Sequence, residues 1–137
     1  MWNPAPRPPL QEAVMTIQEV LQTCDRLKPN AYTEEDKIRW LSQLDGIIKQ
    51  EILDAFSEQE GVSFTGYTVD SDPETELLVP APYDEVYLKY LFSQIDFHNA
   101  EYTRYNNSAS AFNAAYLQFA NAYNRTHTPK LSHFHPL

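Results

Sequence analysis

Apolar positions recur at intervals of three and four in several stretches of the chain, and this spacing marks amphipathic helices. The first runs through Ile17, Val20, Leu21, Cys24 and Leu27. Thr16, with Glu19 three residues on, has the spacing of a capping box, and Lys28-Pro29-Asn30 supplies the stop, so a helix is predicted over about 16–28. The second stripe, Trp40, Leu41, Leu44, Ile47, Ile48 and Ile52, follows Thr33 as cap and Glu34, Glu35 and Asp36 in the first turn, predicting a helix over about 34–56. From Tyr83 to about Tyr102 the rows Tyr83, Tyr87, Leu91, Ile95 and Val86, Tyr90, Phe97 place large side chains on more than one face, so this third helix should be covered on two sides. Tyr105-Asn106-Asn107 reads as an interruption. Ser108 then caps a fourth helix carrying Phe112, Ala115, Tyr116, Phe119 and Tyr123 to near Arg125, folded back on the third as a hairpin.

Between the second and third helices the pattern changes to alternation. Gly61 to Val69 is rich in β-branched and aromatic residues and ends at the turn-like Asp70 to Pro73, which predicts a strand pairing with Glu76 to Val79. Two short strands need a helical or neighbouring surface to rest on. At the start of the chain Pro4, Pro6, Pro8 and Pro9 favour an extended arm over residues 1–15, and His127 to Leu137 with Pro129 and Pro136 reads as an extended tail. The fold expected is mainly α: a four-helix bundle-like single domain over 16–126 with a small strand insert at about 61–80 and an arm at each end. No internal repeat is evident.

Composition narrows the function classes. A chain of 137 residues with 42% hydrophobic positions supports one core, three Gly leave no material for a glycine-rich phosphate cradle, and no apolar run is long enough for a membrane span. The N-terminus lacks the layout of a secretory signal and Cys24 has no partner for an internal disulfide, which points to a reducing, intracellular site of synthesis. Net charge is -9, so duplex binding through phosphate neutralisation has little charge behind it. The charge is also unevenly spread. Residues 51–101 hold twelve acids and one base, Lys89, whereas 102–137 hold Arg104, Arg125, Lys130, three His and no acid. This is the pattern of a solvated acidic face with a mildly basic tail, or of complementary surfaces in a ring.

Candidate chemistry is sparse. His127, His133 and His135 fall within nine residues, but a metal centre needs ligands locked by surrounding bonds and the tail offers no scaffold for them. His98 beside Asp96 reads as a packed or pair-forming histidine, and Cys24, on an apolar stripe, as a buried inert thiol. Asp70, Asp72, Glu74 and Glu76 sit in a solvated loop that would not drive two carboxyl pKa values apart, as acid–base catalysis requires. The glycosylation patterns at Asn106 and Asn124 carry no meaning without a secretory signal. Seven of nine Tyr lie between 83 and 123, interleaved with Asn, which suits either an aromatic core or a subunit interface; Tyr83, Tyr87, Tyr90, Arg104, Tyr105, Asn106 and Asn107 are the interface candidates.

The stretches Leu77-Leu-Val-Pro-Ala-Pro-Tyr-Asp-Glu-Val-Tyr87, Gln94-Ile-Asp96, Glu101-Tyr-Thr-Arg-Tyr-Asn-Asn-Ser108, Phe112-Asn113, Tyr116 and Tyr123-Asn-Arg125 resemble a group of tailed-phage and prophage head-tail connector proteins of the adaptor, or head-completion, type. Lys37 to Leu41 with Leu44-Asp45 is similar to their second helix, and the likeness spans about Thr16 to Pro129. It implies a non-enzymatic virion protein without cofactor or metal, made in the host bacterial cytoplasm and seated in the neck as a ring of about twelve subunits beneath the portal. It further implies that the tail docks on the portal, with His127, Pro129, Leu131, Phe134 and Leu137 as its contacts, and that a stopper or tail-completion protein binds the other side. Packaged DNA would pass through without specific binding, and Asp70, Asp72, Glu74 and Glu76 are the candidates to face the channel, where like charge keeps phosphates off the wall. The alternatives are another neck component, such as a stopper or tail-completion protein, or a small cytosolic metal-binding protein using the C-terminal His cluster.

Overall fold

The computed structural model describes residues 13–56, 59 and 61–127; the proline-rich arm up to residue 12 and the tail from residue 128 lie outside it. In chain order the elements are β1 (Val14–Thr16), α1 (Ile17–Leu27), α2 (Glu34–Glu51) with a 3-10 turn at Leu53–Ala55, β2 (Glu76–Pro80), α3 (Glu85–His98) and α4 (Tyr102–Thr126). The protein is mainly α, a single domain with four helices and one strand pair among the described residues.

Local chemistry explains the first two helices. Thr16 accepts from the Glu19 amide as N-cap of α1, and the amides of Ile17 and Gln18 donate to the carbonyls of Thr75 and Pro73, so the exposed end of α1 is satisfied by the chain that leads into β2. At the other end Asn30 ties the turn: its side-chain amide donates to Asp25 and to the Lys28 carbonyl, and its oxygen accepts from the Tyr32 amide. Thr33 and Asp36 form a complete capping box on α2.

The strand pair differs from the sequence expectation. β2 lies where it was placed, but its antiparallel partner is β1, with Val14 opposite Pro80 and Thr16 opposite Glu76. Residues 61–69 form no strand. Gly61 and Gly66 have positive φ, which breaks an extended run, and the Tyr67 amide donates to Ser42 Oγ on α2 rather than to a ladder. Gly66 is required twice over: its φ is +91°, and a Cβ there would stand 2.8 Å from Ser42 Oγ.

α3 and α4 form the expected antiparallel hairpin, but α4 starts at Tyr102, six residues before Ser108. The turn is made by Ala100 in the left-handed region, with amides of Ala100 and Glu101 donating to the carbonyls of Phe97 and Asp96. Ser108 therefore sits inside the helix and donates its hydroxyl to the Tyr105 carbonyl instead of capping. The seam is a ladder of aromatic pairs at seven-residue steps: Tyr105 with Phe97 at 5.3 Å, Phe112 with Tyr90 at 5.0 Å and Phe119 with Tyr83 at 5.9 Å between ring centroids.

The core gathers Val20 and Cys24 of α1, Leu41, Leu44 and Ile48 of α2, Leu77 and Val79 of β2, Val86, Leu91 and Ile95 of α3, and Phe119 of α4. Each such large aliphatic side chain contributes about 1.5–3 kcal/mol by leaving water. α3 packs on α1, α2 and α4, as its two-sided apolar pattern predicts.

Candidate assembly surfaces and a buried carboxylate

The strongest polar feature is internal. Asp45 on α2 is wholly buried, and three donors converge on its carboxylate: the Tyr67 hydroxyl at 2.5 Å, the Tyr87 hydroxyl at 2.7 Å and the Leu78 amide at 3.2 Å. The Tyr87 oxygen in turn accepts from the Val79 amide at 2.7 Å. One carboxylate thus joins α2, the 61–75 loop, β2 and α3. Burial pushes the Asp45 carboxyl up to about 6 even though the tyrosines and the Leu78 amide pull the other way, and the same burial, with the adjacent negative charge, raises both tyrosine hydroxyls. Every partner named is part of the fold and Asp45 itself has no exposed surface, so the arrangement holds elements together.

Two lysines on α2 are also buried: Lys37 Nζ lies 2.5 Å from Asp25 and 3.3 Å from Asn30 Oδ1, and Lys49 pairs with Asp54. Lys28 at the end of α1 stands 2.6 Å from the buried Asp96 of α3. His98 does not pair with Asp96; its ring stacks on Trp40 at 5.2 Å, and Tyr32 and Trp40 form a T-shaped pair. Cys24 is fully buried, and desolvation pushes its thiol up to about 11, which makes it the inert core cysteine anticipated.

The interface candidates divide. Tyr87 is fully enclosed and bonded to Asp45, so it can meet no neighbour; the pattern that suggested an interface residue was that of a core tyrosine with a polar tip. Tyr83, Tyr90 and Tyr105 are half-buried rungs of the α3–α4 ladder, each with a ring partner inside the chain. Arg104, Asn106 and Asn107 are exposed, Arg104 pairing with Glu101, the residue just before its helix. The helix that carries them is the most open in the molecule: of 25 residues in α4 only Ala115, Phe119 and Ala122 are buried. Tyr102 and Leu117 stand largely in solvent on it, and Phe97 beside Tyr102 is about half exposed at the hairpin turn.

Asp70, Asp72, Glu74 and Glu76 are all exposed. The first three lie in the turns that lead into β2, where Asp72 accepts from the Glu74 amide, and Glu76 opens the strand. At the opposite end of β2, a cleft of about 340 Å³ lies between Leu78, Pro80 and Tyr83 on one side and Phe119, Tyr123 and His127 on the other, with Gln59 and Arg125 at its rim. His127 stacks on Tyr123 at 3.6 Å, 7° from parallel, and meets Phe56 edge-on. Pro129, Leu131, Phe134 and Leu137, like His133 and His135, lie outside the described residues. Among the described residues no group of three or more His, Cys, Asp or Glu is placed to hold a metal ion, and no helix is long and apolar enough to cross a membrane.

The buried charges of α2 were not singled out from sequence, although one signal existed. Asp45 sits four residues after Leu41 and three before Ile48, on the apolar stripe itself, where a carboxylate needs internal partners. Comparison with known protein families, with curated proteins and with solved structures finds no match to this chain.

Proposed function

We propose that the protein is a structural connector subunit of the head-tail adaptor type, which assembles as a ring under a phage portal and links capsid to tail. The observation that carries this reading is α4: a helix roughly 38 Å long that contributes three buried residues to its own core and leaves most of its surface for other chains. Its acid-free sequence, next to a segment with twelve acids, provides the complementary charges that a repeating head-to-tail contact uses. Arg104, Asn106, Asn107, Tyr102 and Leu117 form the contact with the neighbouring subunit. The segment from His127 to Leu137 docks on the portal, and a stopper or tail-completion protein takes the other face. Asp70, Asp72, Glu74 and Glu76, four acids within seven residues and no base among them, line the channel so that DNA slides past without binding. The protein's place is the virion neck.

Electron microscopy of the purified full chain mixed with its candidate portal tests the reading. The expected result is annular density of about twelve copies on one face of the portal. A chain that remains a free monomer beside intact portal rings overturns it.

A further inference from the structure

The cleft at the end of β2 has the chemistry of a proline-recognition groove, and the chain supplies a proline-rich ligand at its edge. Tyr83, Phe119, Tyr123 and the stacked His127 present aromatic surface, Pro80 and Leu78 complete the apolar wall, and Arg125 and Gln59, whose amide also donates to the Tyr123 hydroxyl, bring N–H donors to the lining. Flat aromatic walls with donors beside them suit a polyproline II segment, whose rings pack on the aromatics and whose backbone carbonyls have no internal partners.

The described chain begins beside this cleft. Val14 lies opposite Pro80 in the antiparallel pair, and Pro80 is part of the cleft wall. The first residue described, Ala13, is tied there: its carbonyl accepts from the Ala81 amide at 2.8 Å. The twelve residues that precede it include Pro4, Pro6, Pro8 and Pro9, and in polyproline II form they reach roughly 37 Å, enough to cross the cleft. A ligand tethered at the rim competes at millimolar effective concentration without needing high intrinsic affinity.

We infer that residues 4–9 dock as a polyproline II segment in the cleft of their own subunit, between Tyr83 and Tyr123. This inference does not depend on the ring or on the portal. The segment after His127 is the competing occupant; the bond between Ala13 and Ala81 tethers the N-terminal arm beside the groove, and the four prolines suit its aromatic walls.

Nuclear magnetic resonance of the full chain tests this. Expected are contacts between proline Hδ atoms of residues 4–9 and the rings of Tyr83 and Tyr123, lost when Pro4, Pro6, Pro8 and Pro9 are all replaced by Ser, with amide shifts of α1 and α2 unchanged. A synthetic peptide of residues 1–12, added to that variant, should return the cleft resonances to their original positions in a saturable titration, and a peptide with the prolines replaced should not. Absence of contacts between arm and cleft overturns the inference. So does contact from Leu131 or Phe134 in place of the prolines, or contact seen only between labelled and unlabelled copies in a mixed sample, which would assign the groove to a neighbour's arm.

Discussion

α2 and α4 are the two longest helices, both amphipathic, and they use their side chains in opposite ways. α2 buries eight of its 18 residues, among them Lys37, Asp45 and Lys49, and each of these charges has a partner from another part of the chain or from the adjoining turn. α4 is seven residues longer and buries three, all small or aromatic. The contrast separates two jobs. A charge taken out of water must be matched by a specific partner, so it ties elements into one arrangement; an exposed polar helix face costs the isolated fold little and remains available to other chains.

The comparison breaks most directly at Asp45. Asp45→Ala leaves the hydroxyls of Tyr67 and Tyr87 and the Leu78 amide without their acceptor inside the protein, and should lower the unfolding free energy by about 3–5 kcal/mol in urea titration. A loss below about 1 kcal/mol would mean that the carboxylate does not organise the fold.

The next largest effect is on pH dependence. Asp45 titrates at about 6 in the folded protein against an ordinary 3.8, so between these values the folded state holds more protons than the unfolded one. Its ionisation therefore costs stability as pH rises through this window, and the cost is relieved as pH falls from 7 towards 4. The contribution is on the order of 2–3 kcal/mol and is isolated by subtracting the profile of Asp45→Asn, in which this part of the slope should vanish. Identical slopes in the two proteins would contradict the assignment.

A smaller effect is expected in the loop that delivers Tyr67. Gly66→Ala puts a methyl group 2.8 Å from Ser42 Oγ at a φ of +91°, and should cost about 1–3 kcal/mol in urea titration; adding Ser42→Ala should bring no net recovery, because the backbone strain stays and the Tyr67 amide loses its acceptor. Smallest of all is the change on the open helix. Leu117→Asp should alter monomer stability by no more than about 0.5 kcal/mol, since the side chain is 58% exposed, yet abolish annular assembly on the portal in electron micrographs. Unchanged assembly would remove α4 from the subunit contact.

Much of the architecture was legible because it rests on short-range rules. Thr16 and Thr33 both cap as expected, the complete box forming at Thr33 with Asp36, and α1 ends where Lys28-Pro29-Asn30 stops it. The start of α4 was misread for an equally local reason: Tyr105-Asn106-Asn107 are poor helix formers in isolation, but the ring of Tyr105 packing on Phe97 outweighs that preference. The partner of β2 was misread for a non-local one. Alternation in 61–69 is compatible with a strand, yet Ser42 and Asp45, some 20 residues away in sequence, claim the amide and hydroxyl of Tyr67, and Val14–Thr16 takes the ladder. Of the candidate surface, exposure of the four acids and of Arg104, Asn106 and Asn107 agrees with their polar character, whereas Tyr87 went inside because its hydroxyl found an acceptor there.

By itself, then, the order of residues determined that four helices form, where α1 and α2 begin and α1 stops, that α3 is covered on two sides, that Cys24 is internal, and how acid and base divide along the chain. Periodicity, caps and charge act within a few residues, so they can be read in one dimension. Which strand pairs with which, where the aromatic rungs meet, and that Asp45 sits at the crossing of four segments were decided only in three dimensions. Those choices depend on which distant groups compete for the same hydrogen bond or the same buried volume.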